Sequence, residues 1–191
     1  MGEYGISQSI PRFEDAKLLT GRGDFIDDEN AHGQLHGFMV RSPYAHADVG
    51  AIDISAALDA PGVVAVYTGN DYRDAGWGTI PHIGPPVKRR GGADFILPDF
   101  WPLAVDRVRM VGEGVAFVLA ETAAQARDAA ELVMVEFAAL PASAVTASAL
   151  DDDAFVLWDQ IGNNEALVHE IGDKATADAA FERADHVIEQ R

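Results

Sequence analysis

VDRVRMVGEGVAFVLAETAAQARDAAELVMVEFAALP, residues 105–141, is the stretch whose reading decides the fold. Val115-Ala116-Phe117-Val118-Leu119-Ala120 is an unbroken apolar run of strand length, the pattern of a strand buried on both faces. Gly112 and Gly114 bracket its entry, where a turn calls for a permissive backbone. Thr122 then offers a hydroxyl N-cap, and Gln125 three residues later makes Thr122-Ala-Ala-Gln125 a capping-box candidate. Ala123, Ala126, Ala129, Ala130 and Val133 follow at helical spacing. They form a face small enough to lie close against a sheet. Arg127 and Glu131, four apart, add a weak outer pair. Val133 to Phe137 is β-rich and is expected to return to the sheet of 115–120, with Pro141 ending it. The stretch predicts a β–turn–β–α–β unit with strand 115–120, helix 123–132 and strand 133–138.

Upstream, Gln34 to Val40 alternates as a first strand, and Ser42-Pro43-Tyr44 breaks it. Val49 to Ile54 reads as a strand, Ser55 to Leu58 as a short helical turn, and Val63 to Thr68 (VVAVYT) as a strong strand. Asn70-Asp71 can cap a further turn. Residues 1–30 are polar and carry Pro11, Gly21 and Gly23, the signs of an extended arm that needs a surface to lie on. Residues 72–101 form a long Gly/Pro-rich loop with Trp77, Phe95, Phe100, Trp101 and the cluster Lys88-Arg89-Arg90. Its aromatics can pack locally or dock onto a neighbour, and both readings stand. The basic cluster reads as solvated or internally paired, rather than as an anion site. From 142 to 172 the chain is irregular. Ala177 to Arg183 reads as a helix capped by Asp173 or Thr176, and Val187-Ile188 starts a strand.

Composition narrows the chemistry. The 191 residues suit one domain or one and a part, and 48% hydrophobic content supports a real core. Fourteen Lys and Arg against 31 Asp and Glu leave a formal charge of −17, which disfavours non-specific nucleic-acid binding. There is no cysteine, so this chain holds no iron–sulfur cluster through thiolates and no disulfide. No apolar run is long enough to span a membrane, the N-terminus lacks a signal-peptide core, and a cytoplasmic setting is expected. His32, His36, His46, His82, His169 and His186 are scattered, with no local pattern for zinc, and Asp151-Asp152-Asp153 lacks the spacers and glycine of a calcium loop. Gly112-Glu113-Gly114 is not a dinucleotide fingerprint, and Gly-x-Ser-x-Gly is absent. These patterns single out no catalytic, cofactor-binding or metal-binding residue.

Several segments together resemble a known family. They are Arg12 with Glu14-Asp15 and Leu18 to Asp28; Arg41 to Ala47; Pro102-Leu103-Ala104 with Arg107 to Ala116; Val135 to Pro141; Asn163 to Ala166; and Gly172-Asp173 with Ala179 to Glu189. In this order they resemble the α/β hammerhead domain that opens the molybdenum-binding large subunit of the xanthine dehydrogenase, aldehyde oxidase and aerobic carbon monoxide dehydrogenase family. Gly114 departs from the proline many relatives carry there, which touches only the turn.

The resemblance implies an α+β fold: a mixed sheet with packed helices in 31–141, an N-terminal arm in 1–30, and a linker with the start of a molybdopterin-binding domain in 142–191. It implies that the whole enzyme hydroxylates or oxidises an aldehyde, an N-heterocycle or a similar small substrate, with water as the oxygen source. A molybdenum–pterin cofactor would accept the electrons and pass them to iron–sulfur clusters and FAD on partner subunits or domains. The pterin loops and base glutamate of relatives lie beyond this stretch, so the fragment alone is expected to bind no cofactor and catalyse nothing. The chain is then either part of a longer one or a naturally split subunit; its end inside an apparent strand, with a natural-looking start at Met1, favours a longer chain cut at the C-terminal side. The competing reading is a stand-alone module that docks a protein through 72–101.

Overall fold

The computed structural model describes residues 11–81 and 88–190. In chain order the elements are helix α1 (Asp15–Leu19), strand β1 (His36–Arg41), strand β2 (Ala47–Asp53), helix α2 (Ser55–Leu58), strand β3 (Val63–Thr68), helix α3 (Gly69–Asp74), the two-residue strand β4 (Arg107–Val108), strand β5 (Gly114–Ala120), helix α4 (Ala123–Ala130), strand β6 (Met134–Ala139) and helix α5 (Lys174–Glu182). The unit expected from the opening stretch is present, with the helix ending at Ala130 and the last strand one residue later than expected.

The α+β class holds, but the strands are arranged differently from the mixed sheet expected. They form two three-stranded sheets, ordered β1-β5-β3 and β4-β2-β6, and every pair is antiparallel. β6 therefore does not return to the sheet of β5. Both hydrogen-bonding edges of β5 are taken, by β1 and by β3, so no vacancy exists beside it. β6 instead lines up with β2, placing Phe137 opposite Val49 and Val135 opposite Ile52.

Alternation along β5 explains the core. Ala116, Val118 and Ala120 are fully buried on the face that α4 covers with Ala126, Ala129 and Ala130. Alanine on the helix side lets α4 lie close to β1 and β5, and Val66, Ala57 and Val133 complete the cluster. Val115 points the other way, into a second cluster with Ala47, Ala104 and Val108. Val40 and Val135 border both clusters and join the two sheets. Beyond Val115 the second face of β5 thins out: Phe117 and Leu119 are only half-buried, so burial on both faces holds at the start of the strand and not at its end. There the Phe117 ring lies over Gly37, where any Cβ would collide with it.

Local chemistry fixes the joints. Gly112 sits at φ +86°, so its part in the turn is conformational; a Cβ at Gly114 would come 2.6 Å from the Met39 sulfur, so that flexible side chain would have to shift. The Thr122 hydroxyl accepts the Gln125 N–H at 3.2 Å, as expected of an N-cap. The return half of the capping box is missing. Gln125 Oε1 accepts the Thr122 hydroxyl at 2.8 Å, and its amide packs against Gly62. Arg127 lies over the Phe38 ring, 5.8 Å from its centre, and makes no ion pair with Glu131. The cap of α3 is Thr68, not Asn70-Asp71. Asp71 stands at the third helical position, and its carboxylate accepts the Thr68 N–H at 2.7 Å.

The segment 11–30 has no buried residue but is not simply extended, since it folds into α1 and a turn at Ile26–Asp28; residues 1–10 lie outside the described residues. α5 starts at Lys174, earlier than expected, with Asp173 as its cap. Val187 and Ile188 form no strand. They are 59% and 92% exposed, and no neighbouring strand offers them a ladder.

Candidate functional site

No expected catalytic residue has to be located, so the site must be sought where polar chemistry converges. It converges along one seam, where the irregular segment 142–168, here called the strap, is fastened to the two sheets. Four side chains do most of this work, and most of their hydrogen bonds go to backbone groups of the strap.

Arg109 follows β4 directly. Its Nε donates to the Leu157 carbonyl at 3.2 Å, and its guanidinium lies 3.9 Å from the centre of the Trp158 ring. A guanidinium over an indole contributes about 0.5–2 kcal/mol, more as water is excluded. Burial pushes the Arg109 guanidinium below its usual value; neighbouring Arg107 adds to this, while Glu113, Asp159 and Asp106 oppose it. Glu113, itself buried, accepts the Arg109 backbone N–H at 2.6 Å. Arg107 stands directly opposite Asp48 across β4 and β2, binds its carboxylate at 2.6 Å, and reaches Asp159 of the strap at 3.8 Å. Trp101, Arg109, Glu113 and Trp158 wall a polar recess of about 150 Å³.

Arg89 clasps the far end of the strap, donating to the Ile161 carbonyl at 2.7 Å, the Asn163 side chain at 3.1 Å and the Glu165 carbonyl at 3.3 Å. The expectation that the basic cluster is internally paired is met by Arg89 and by Lys88, which pairs with Asp94. Asn164 knots the strap to itself: its Oδ1 accepts the Leu157 N–H at 3.0 Å, and its amide donates to Phe155 and Ala149 carbonyls at 2.7 and 2.9 Å. His46, 6% exposed, lies 2.8 Å from the Pro141 carbonyl through Nδ1 and stacks on Phe155 at 5.6 Å. A carbonyl can only accept, so Nδ1 carries a proton, while buried Nε2 has no hydrogen-bond partner.

The remaining histidines do not join this seam. His32 lies in an exposed turn, His36 opens β1, His169 and His186 are exposed, and His82 falls outside the described residues. The aspartates at 151–153 are exposed. In the long loop, Tyr72 meets Trp77 edge-on at 5.1 Å and Trp101 at 6.4 Å, so part of its aromatic content packs locally. Among the described residues, no three His, Asp or Glu side chains converge to hold a metal ion. The donors of the seam do not fit a metal or a pterin: its guanidinium groups are engaged with the chain's own carbonyls, carboxylates and indole. The arrangement positions one segment on another; it has no nucleophile–base pair.

The seam was missed in the sequence because its partners are far apart, 76 residues between Arg89 and Glu165 and 95 between His46 and Pro141. The only local sign was the likeness of Asn163 to Ala166 to a family linker.

Residues 20–141 match the family model described as aldehyde oxidase and xanthine dehydrogenase, a/b hammerhead domain. The nicotine 6-hydroxylase large subunit of Paenarthrobacter nicotinovorans is 38% identical over 188 residues, 96% of this chain and 21% of the relative. The carbon monoxide dehydrogenase large chain of Afipia carboxidovorans is 33% identical over 195 residues, 96% of this chain and 23% of the relative. Among solved structures, the reconstituted CO dehydrogenase from Oligotropha carboxidovorans superposes with a TM-score of 0.75 at 32% identity, covering 95% of this chain and 23% of that one. Quinoline 2-oxidoreductase from Pseudomonas putida 86 gives 0.69 at 37%, covering 81% and 19%. The chain thus spans about a fifth of the length of the relatives it matches.

Proposed function

Since the chain belongs to the aldehyde oxidase and xanthine dehydrogenase family and carries its α/β hammerhead domain, we propose that it is a mounting unit within a molybdenum hydroxylase large subunit and is not itself the catalyst. The match at 38% identity across 96% of the chain, to a relative almost five times longer, carries the reading. In it, residues 1–30 are an arm, 31–141 the hammerhead domain, and 142–191 a linker entering a molybdopterin-binding domain. The larger protein, working in a cytoplasmic setting with iron–sulfur and flavin partners, would oxidise an aldehyde, an N-heterocycle or a similar small substrate with water as the oxygen source. The names of relatives point to nicotine, quinoline and carbon monoxide, which supports a small-molecule substrate without choosing one.

The molybdenum–pterin group would supply the redox chemistry from elsewhere in the subunit. The residues of this chain contribute geometry. Arg109 on Trp158, Arg89 on the carbonyls at 161 and 165, and His46 on Pro141 fix the path by which the chain leaves the two sheets. A one-ångström error in such a path can shift reacting groups out of alignment. Metal analysis tests the proposal. The 191-residue chain should purify without molybdenum and oxidise nothing. The whole subunit, expressed with its partners and a cofactor supply, should hold molybdenum in stoichiometric amount. Molybdenum bound tightly to the short chain, or none in the complex, overturns the corresponding half.

A further inference from the structure

The arm is folded yet displays its large apolar side chains outward. Its hydrogen bonds close on themselves: Leu18 N–H to Glu14, Gly21 N–H to Leu18 and Arg22 N–H to Lys17, with Gly21 at φ +66° stopping α1. Gly23 lets Leu18 and Phe25 close over the chain, and the Phe25 N–H is fixed by the Asp28 carboxylate at 3.1 Å. Despite this order, Phe13, Leu19, Phe25 and Ile26 remain 103%, 86%, 62% and 91% exposed, and none of the described residues 11–30 is buried. A preformed, uncovered apolar surface of this kind marks an interaction site.

Charge says what covers it. Asp24-Phe25-Ile26-Asp27-Asp28-Glu29 surrounds its two apolar side chains with four carboxylates and no cation. A second copy of a chain at −17 would be repelled. Magnitude says where the cover lies. Each apolar side chain contributes roughly 10- to 100-fold on full burial, so Phe25 and Ile26 alone reach a dissociation constant of about 0.1–10 mM before any association cost. That is useful only within one polypeptide, where tethering supplies millimolar effective concentration.

We propose that the turn 24–29 plugs an apolar pocket rimmed by lysine or arginine on another part of the same subunit, locking the arm across it. This rests on the assignment of the chain to a larger subunit.

Trypsin cleavage after Arg22 tests it, read in the 191-residue chain and in the whole subunit without partner subunits. Cleavage should be at least about tenfold slower in the whole subunit, because a docked arm rarely opens. Ile26→Ser should restore fast cutting there and leave the short chain unchanged. Raising salt from about 0.05 to about 0.5 M should speed cutting of the wild-type subunit. The neutral variant Asp24→Asn/Asp27→Asn/Glu29→Gln, which spares the Asp28 cap, should be cut faster and lose that salt response. Equal cutting in both wild-type proteins overturns the proposal. So does protection that appears only when partner subunits are added, which moves the pocket to them, and salt-independent protection removes the basic rim. Molybdenum content of the same preparation reports separately on the proposed function, since the arm can be protected in a subunit lacking metal, or free in one that holds it.

Discussion

The two sheets and the strap are held by opposite kinds of chemistry. Val118, Val115, Val108 and the alanines of α4 hold the sheets by apolar burial. Within the strap, 142–168, only Ile161 is buried, and the segment is held by directed contacts from Arg89, Arg109, His46 and Asn164, mostly to carbonyl oxygens. Apolar burial is non-directional and shared among many neighbours, so losing a part of it weakens the whole sheet body. A hydrogen bond to one carbonyl can fail alone, leaving the rest of the fold in place. The sheets should therefore respond globally to substitution and the strap locally.

The largest expected effect is in the sheets. Val118→Ala removes buried methyl groups from the α4 interface and should lower global stability by about 2–4 kcal/mol, seen as a shifted urea midpoint with unchanged slope. If this variant loosened only residues near 118, the global character of the sheet body would be wrong. Next is Asn164→Ala, which strips three backbone groups of their partner at about 1–3 kcal/mol. Its expected signature is faster amide exchange in 149–164 with the midpoint of the sheets unmoved; a midpoint falling as far as in the valine variant would merge the two regions into one. Thr122→Ala deletes the N-cap of α4 and should cost about 1 kcal/mol of the same global stability. An unchanged midpoint there would reassign helix start-up to packing alone.

The smallest effect lies outside both regions. Thr176 hydrogen bonds hold the Asp173 carboxylate below its ordinary value, so the ionised form is the one that caps α5. A lowered native pKa gives stability that is present above the ordinary carboxylate value and lost as pH falls through the lowered one. Carboxyl NMR should find Asp173 titrating below an unstructured aspartate, with α5 fraying as it protonates and the sheets unaffected. A normal titration would remove the cap.

Much of the sheet body was legible because its signals are local. The run 115–120, the hydroxyl at Thr122 and the alanine spacing of α4 each declare themselves within a dozen residues. The partner of β6 was not legible, since an apolar strand announces burial and not a neighbour; the choice fell to β2 once β1 and β3 had filled both edges of β5. Val187-Ile188 misled for the same reason in reverse: β propensity without a free ladder makes no strand. In the strap almost nothing was readable, because an arginine written in sequence does not say which distant carbonyl it will reach.

By itself, the sequence determined the strand–helix–strand unit of 115–139, the cap at Thr122, the α+β hammerhead class and the family, all of which rest on short-range spacing or on ordered motifs, and it offered Asp173 as one of two caps for α5. The tertiary structure alone decided that there are two antiparallel sheets instead of one mixed sheet, that Val40 and Val135 join them, and that Arg109, Arg89 and His46 seat the strap. Those outcomes depend on which edges remain free and which backbone groups come within three ångströms after the chain has closed on itself, quantities that no local pattern of residues encodes.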